Sequence, residues 1–320
     1  MNAPLPARLY LQLDDGICAI RTRGKFEAMA GKRFFAAATS LVTSAFCFVA
    51  SFVAAAHAAD VPSAVYTMAI DGQYVRKLAQ VDGYSDHAAP RWSHDGNFVA
   101  FDAAPTGGGN RKCFVIAADG SVLRELDGNA MPAWSLDDKR LAYQVASRDG
   151  ELIVVQNQDD QRRVEIGFGM SPCWSPDGGK LAVSDGQMLR AVDLATGESA
   201  ALFIEPFFEL LSGFDWSPDG KRLAVVVRAA PGAQRQLLLL SAAGSATGVN
   251  TRLRANVGGF VSFSPNGREI VFSANGTIHI MTVAGSTGPR PVPGQRGKNR
   301  DPDWSPDGKM IVFVSNREVP

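Results

Sequence analysis

Few side chains in this sequence are placed to do chemistry. Asp86 and His87 stand together ahead of the first tryptophan, and Arg300 and Asp303 stand close to the C-terminal end. A histidine beside a carboxylate can move a proton, and an arginine can hold an anionic group. Such a set would suit a lyase or a hydrolase. Arg91, Asp215 and Asp303 form a second set, since each immediately precedes a tryptophan and so occupies one phase of one pattern. The usual catalytic signatures are absent: no G-x-S-x-G elbow, no H-E-x-x-H, no Walker loop and no G-x-G-x-x-G. Gly107-Gly108-Gly109 lacks the Lys-Ser/Thr that a phosphate cradle needs and reads as a flexible loop. His94 and His279 add no ligand set, so neither metal nor cofactor is expected.

The elements that must position these residues come from a repeat. Six segments share one phase: Pro90–Gly96, Pro132–Asp138, Pro172–Gly178, Phe214–Gly220, Val261–Gly267 and Pro302–Gly308, each with an aromatic third residue and three of them reading Trp-Ser-Pro-Asp-Gly from there. All five tryptophans fall on that phase, and Phe263 takes the sixth. The aromatic positions advance by 42, 40, 42, 47 and 41 residues. The motif is turn chemistry: proline presets φ, Asp and Ser bond nearby N–H groups, and glycine accepts positive φ. The regular phase of Asp95, Asp137, Asp177, Asp219 and Asp307 therefore argues for turns rather than acid–base work. The tryptophans read as core packing.

Each motif is trailed by a short apolar strand such as Phe98–Phe101 or Leu181–Val183, then by a second hairpin such as Cys113–Ile116 with Val122–Leu126. Four short strands in forty-odd residues make one propeller blade. The first second-type hairpin precedes the first tryptophan motif, and the last motif has none after it. The expectation is an all-β, six-bladed β-propeller whose closing blade is composite, which removes the free sheet edges.

The six Trp-Ser-Pro-Asp-Gly-type motifs, all but the first followed by a Lys/Arg-led apolar strand, resemble the TolB-like family of β-propellers over about residues 62–315. That resemblance implies an exported propeller that binds a protein or other envelope component. The N-terminal α/β domain of TolB itself has no counterpart expected here.

Ahead of the repeats, residues 34–56 carry no charge, Lys32 and Arg33 precede them, and Ala56-His57-Ala58 fits a small-residue cleavage site. This predicts an N-terminal extension and signal segment over 1–58 and a propeller over 60–320, periplasmic or secreted. The alternative is an uncleaved anchor holding the propeller outside the cytoplasm, the sole membrane contact expected. Met29 is a second possible start. Charges balance at 32 basic against 32 acidic; without the six basic and three acidic residues of 1–58 the remainder holds 26 against 29. No nucleic-acid partner is implied. Cys113 and Cys173 lie two blades apart by phase and are expected as free, buried thiols.

The expected reading is a monomeric, non-catalytic scaffold that binds a protein or other envelope component; the alternative is a lyase or hydrolase with Asp86, His87, Arg91, Asp215 and Asp303 at the channel mouth. The partner surface is expected on the face opposite the Ser-Pro-Asp-Gly turns, where loop lengths vary. There, Phe203, Phe207, Phe208, Leu210 and Leu211 would form an exposed apolar patch, with Arg296, Lys298 and Arg300 as a basic rim.

Overall fold

The computed structural model describes residues 11–14, 17–20, 62–126, 128–204, 209–210, 213–242, 249–253, 257–284 and 288–317. The chain divides into two compact units, residues 1–60 and 61–320. In the first, Leu11–Asp14 pairs antiparallel with Ile17–Ile20. The signal-like segment over 34–58 lies outside the described residues.

The second unit is all β, with no helix among its described residues. Six antiparallel sheets follow one another in chain order. Blade 1 is Tyr84–Trp92, Phe98–Pro105, Lys112–Ala117 and Leu123–Leu126. Blades 2 to 5 begin at the innermost strands Ala130–Trp134, Met170–Trp174, Asp215–Trp216 and Val257–Phe263. Blade 6 joins the two extremities of the unit: Asn299–Trp304 and Met310–Ser315 come from its end, Ala64–Ala69 and Arg76–Ala79 from its start. The closing register runs from Met310 opposite Ala69 to Ser315 opposite Ala64. The composite blade expected from the two unpaired hairpins is thus present.

Strand alternation explains the core. Both faces of each blade are covered by a neighbour, so successive side chains are buried in opposite directions. Val99, Phe101 and Ala103 pack toward blade 6, whereas Ala100 packs toward blade 2. Six apolar clusters result, one between each pair of adjacent blades.

The turns behave as their composition dictates. In five of the six motifs the Ser hydroxyl donates to the Asp Oδ1 at 2.6 Å, as Ser93 does to Asp95. The same hydroxyl accepts the N–H five residues on, as from Phe98 at 2.9 Å. These bonds hold the Asp137, Asp177, Asp219 and Asp307 carboxyls below their ordinary range, the Ser hydroxyl being the main cause. Asp138, where the other motifs have Gly or its equivalent, adopts φ +55°. Its carboxylate accepts the N–H groups of His94 and Asp95, both at 2.8 Å, so it ties the first turn to the second.

Cys113 and Cys173 are free, the former buried and the latter half-buried. Burial pushes both thiols upward, away from thiolate.

Candidate functional site

Three residues before the aromatic position, the innermost strands bulge. Ala89, Met131, Ser171 and Asp301 have φ between +49° and +56°, and Gly213 has +89°. The register slips at the same points, for example between Ala88 and Arg91 and between Arg300 and Asp303. A bulge re-aims the residues after it. At Gly213 a side chain is impossible: its Cβ would stand 2.4 Å from the Gly259 carbonyl oxygen and 2.5 Å from the Phe260 ring.

Beyond the bulges the chain lines a cavity of about 440 Å³ at the Ser-Pro-Asp-Gly end of the central channel. Its wall is the ring of turn aromatics, Trp92, Trp134, Trp174, Trp216, Phe263 and Trp304. Its rim is the second turn residue of each blade, proline in four blades but His94 in blade 1 and Leu136 in blade 2. Leu136 is 50% exposed. The floor is the residue before each aromatic: Arg91, Ala133, Cys173, Asp215, Ser262 and Asp303. Deeper still the channel narrows to a gap of about 10 Å³, where the Arg91 guanidinium lies 5.3 Å from the Phe260 ring centroid.

The floor laces blades together. Asp303 accepts the Trp92 N–H at 2.9 Å across the ring closure, and Asp215 accepts the Phe263 N–H at 2.7 Å. Arg91 donates to Asp303 at 3.3 Å. Asp215 bonds no guanidinium; its Oδ1 takes the Trp216 N–H at 2.9 Å and lies 3.7 Å from the Cys173 sulfur. Burial raises the Asp215 carboxyl to about 6, against the pull of Arg91. Burial also keeps the Cys173 thiol protonated, so it is no nucleophile at neutral pH. The rim His94 points its Nδ1 at Asp138, 3.2 Å away.

Of the residues singled out in the sequence, Arg91, Asp215 and Asp303 come together at this floor. Asp86 and His87 do not join them; they lie on the far side of the bulge in a clasp between blades 6, 1 and 2. There Arg111 bonds Asp102 and also Asp86, the latter at 2.7 Å. Arg300 bonds Asp86, Asp301 at 2.6 Å and the His87 carbonyl at 2.6 Å. Burial works upward on Asp86, but Arg300 and Arg111 outweigh it and hold its carboxyl low. The fully buried Asp102 is pushed up by desolvation despite Arg111, and it accepts the Met131 N–H at 2.9 Å. His87 is wholly buried, stacked on Phe101, and its Nε2 accepts the Val81 N–H at 3.0 Å. Burial lowers it to about 4. A neutral, enclosed imidazole serves packing, which corrects its reading as a channel-mouth base.

The apolar patch is corrected in part. Phe203 and Leu210 are 3% and 4% exposed and pack in the core between blades 3 and 4. Phe203 continues the fourth strand of blade 3 opposite Leu189, and Leu210 pairs with Val227, so both extend strands instead of forming a loop. Phe207, Phe208 and Leu211 lie outside the described residues. Arg300 belongs to the clasp; Arg296 and Lys298 are exposed. What the sequence reading passed over is the other face. The tryptophans are core residues and cavity wall at once, and the replacement of proline by Leu136 and His94 was the visible sign that this rim is not uniform.

No family model matches the sequence. An uncharacterized peptidase of Bacillus subtilis, YuxL, is 32% identical over 155 residues, which is 45% of this chain. The chain spans about a fifth, 21%, of that relative's length. Among solved structures, a putative TolB from Agrobacterium tumefaciens superposes with a TM-score of 0.63 at 19% identity, covering 81% of this chain and 99% of its own. TolB from Acinetobacter baumannii gives 0.55 at 14% identity, covering 96% of this chain and 79% of its own. At such identity the likeness concerns fold, and in fold this protein is a TolB-like six-bladed β-propeller.

Proposed function

We propose that this protein is an exported scaffold of the cell envelope that docks a protein partner on the face carrying the Ser-Pro-Asp-Gly turns, without catalysing a reaction. The observation that carries the reading is the aromatic-walled cavity at that end of the channel, with an exposed leucine on its rim. Apolar concave sites with a few convergent polar groups are where ligand groups commonly bind. The opposite face, favoured by its variable loops and an expected apolar patch and basic rim, has lost Phe203 and Leu210 to the core and Arg300 to the clasp.

The non-catalytic part rests on chemistry. The cavity floor offers a protonated thiol, a carboxylate and an ion pair, and the paired Asp86 and His87 stand elsewhere. Export rests on the uncharged segment 34–56 and its small-residue site at 56–58.

The test places a photo-cross-linking amino acid at Leu136 or at Lys298 of the full chain in cells, with fractionation of the products. A discrete protein adduct from position 136 in the envelope fraction, and none from 298, is the expected result. Adducts from 298 alone would move the docking face to the other side; product confined to the cytoplasm would end the export reading.

A further inference from the structure

We propose that the turn-face cavity takes one cationic side chain, the ammonium of a lysine or the guanidinium of an arginine, presented by the docked partner. The proposal rests on the reading of this face as the docking surface and says what the surface recognises.

Charge at the floor is the first argument. Three ionisable groups of opposite sign meet there: Arg91 against Asp303 and Asp215. The guanidinium bonds Asp303, leaving Asp215 with two backbone N–H donors and a thiol but no bonded cation. Asp215 feels the pull of Arg91 but bonds no guanidinium, and a second cation brought beside it in a half-buried site is attracted more strongly than in bulk water.

The wall is the second. Four of the five tryptophans are less than a tenth exposed and all five face the cavity. Tryptophan rings attract cations, as the Trp174 ring already does with the Arg140 guanidinium 4.7 Å from its centroid, and proline rings suit the methylene stem of lysine or arginine. A volume of about 440 Å³ lies toward the small end of ligand sites, enough for a side chain and too little for a folded element.

Other occupants fit worse. An anion would meet Asp215 and find Arg91 already engaged. An apolar group would strip water from Asp215 and return nothing. A metal ion lacks a ligand set, since no group of three or more His, Cys, Asp or Glu side chains able to hold one occurs among the described residues.

Because every tryptophan lies in the wall, intrinsic fluorescence reports the site directly. The probes are N-acetyl-arginine amide and N-acetyl-lysine amide, set against N-acetyl-norleucine amide and N-acetyl-glutamate amide, with free N-acetyl-tryptophan amide as the control for collisional quenching. At about pH 7.5 the cationic probes should produce a saturable change and bind at least about tenfold more tightly than norleucine, with no saturation by glutamate. Lowering the pH to about 5 should weaken the cationic probes several-fold as Asp215 takes a proton. The charged and titratable groups facing that carboxyl are Arg91 from blade 1, Cys173 from blade 3 and Asp303 from blade 6. Asp215→Asn should weaken the cationic probes about tenfold and abolish the pH dependence. Norleucine or glutamate binding as tightly as arginine in the unaltered protein overturns the proposal, whether or not the variant folds; so does an Asp215→Asn protein that folds and binds arginine unchanged. Failure of the cationic probes with the Leu136 adduct intact removes this inference and leaves the docking face. Loss of the Leu136 adduct removes the docking face itself.

Discussion

The strands Tyr84–Trp92 and Asn299–Trp304 carry charge at both ends, yet the two ends are built differently. On one side of their bulges, Asp86, Asp102 and Asp301 are bonded by Arg111 and Arg300, and the enclosed His87 is neutral. On the other side, Arg91 answers Asp303 and leaves Asp215 with no bonded cation. Both sets hold one more carboxylate than guanidinium, but in the clasp every carboxylate bonds an arginine and so ties blades together, whereas beside the cavity Asp215 bonds none and is open to a ligand. Residue type alone would not separate them, since both ends hold Asp and Arg.

The comparison fails first, and most visibly, if the clasp is not structural. Asp102→Ala leaves Arg111 without its buried partner and the Met131 N–H without its acceptor, and should cost about 4 kcal/mol in chemical denaturation while leaving the cavity's fluorescence response unchanged. Loss of ligand response at preserved stability would erase the distinction between the ends.

Phe203→Ser should cost about 3 kcal/mol, because it empties a core position between blades 3 and 4. Capture of the partner at native temperature should persist. A stable Phe203→Ser protein that no longer captures its partner would restore the loop-face reading.

Stability against pH sharpens the contrast, since the two ends carry opposite signs. His87 is lowered to about 4 in the fold from 6.5, so the unfolded chain binds the extra proton between those values and stability falls as pH falls through them. Asp215 is raised to about 6 from 3.8, so the folded chain binds the extra proton and stability rises as pH falls through that window. Each contribution is about 3 kcal/mol and the two largely offset one another. Asp215→Asn should expose a steeper acid loss, and His87→Gln, whose amide can still meet the Val81 N–H, should expose an acid gain. Melting temperatures at about pH 4, 5, 6 and 7 decide it. Parallel profiles for the two variants would refute both assignments.

The smallest effect is expected from Arg296→Glu with Lys298→Glu. Both side chains are exposed, so stability should move by less than about 0.5 kcal/mol and partner capture should be unaltered. Loss of capture would put the binding face on their side.

The fold was legible because its signal is redundant. Six copies of one turn, all five tryptophans in one phase and two unmatched hairpins leave few ways to arrange the strands. The pairing of Asp303, Asp215 and Arg91 at one level was legible for the same reason, since phase converts directly into height along the channel. What resisted was lateral contact and depth. Nothing local shows that Arg111, in a connection, reaches Asp86 and Asp102, or that the bulge at Ala89 parts His87 from Arg91. Phe203 and Leu210 look like a loop in a string of aromatics because the strands they extend are defined only by partners elsewhere in the chain. Repetition also hides a binding rim: turns that recur for structural reasons read as purely structural, although Leu136 and His94 break the pattern there.

The most direct measurement is a two-dimensional NMR titration of the full chain that follows the five tryptophan indole N–H signals and the backbone amides of residues 296–298 together, with an arginine-containing peptide as ligand. The indole signals should shift in a saturable way at neutral pH, cease to do so in Asp215→Asn, and leave the 296–298 amides in place. Shifts of the 296–298 amides with unmoved indoles would contradict the assignment of function to the end of the channel where Asp215 bonds no guanidinium.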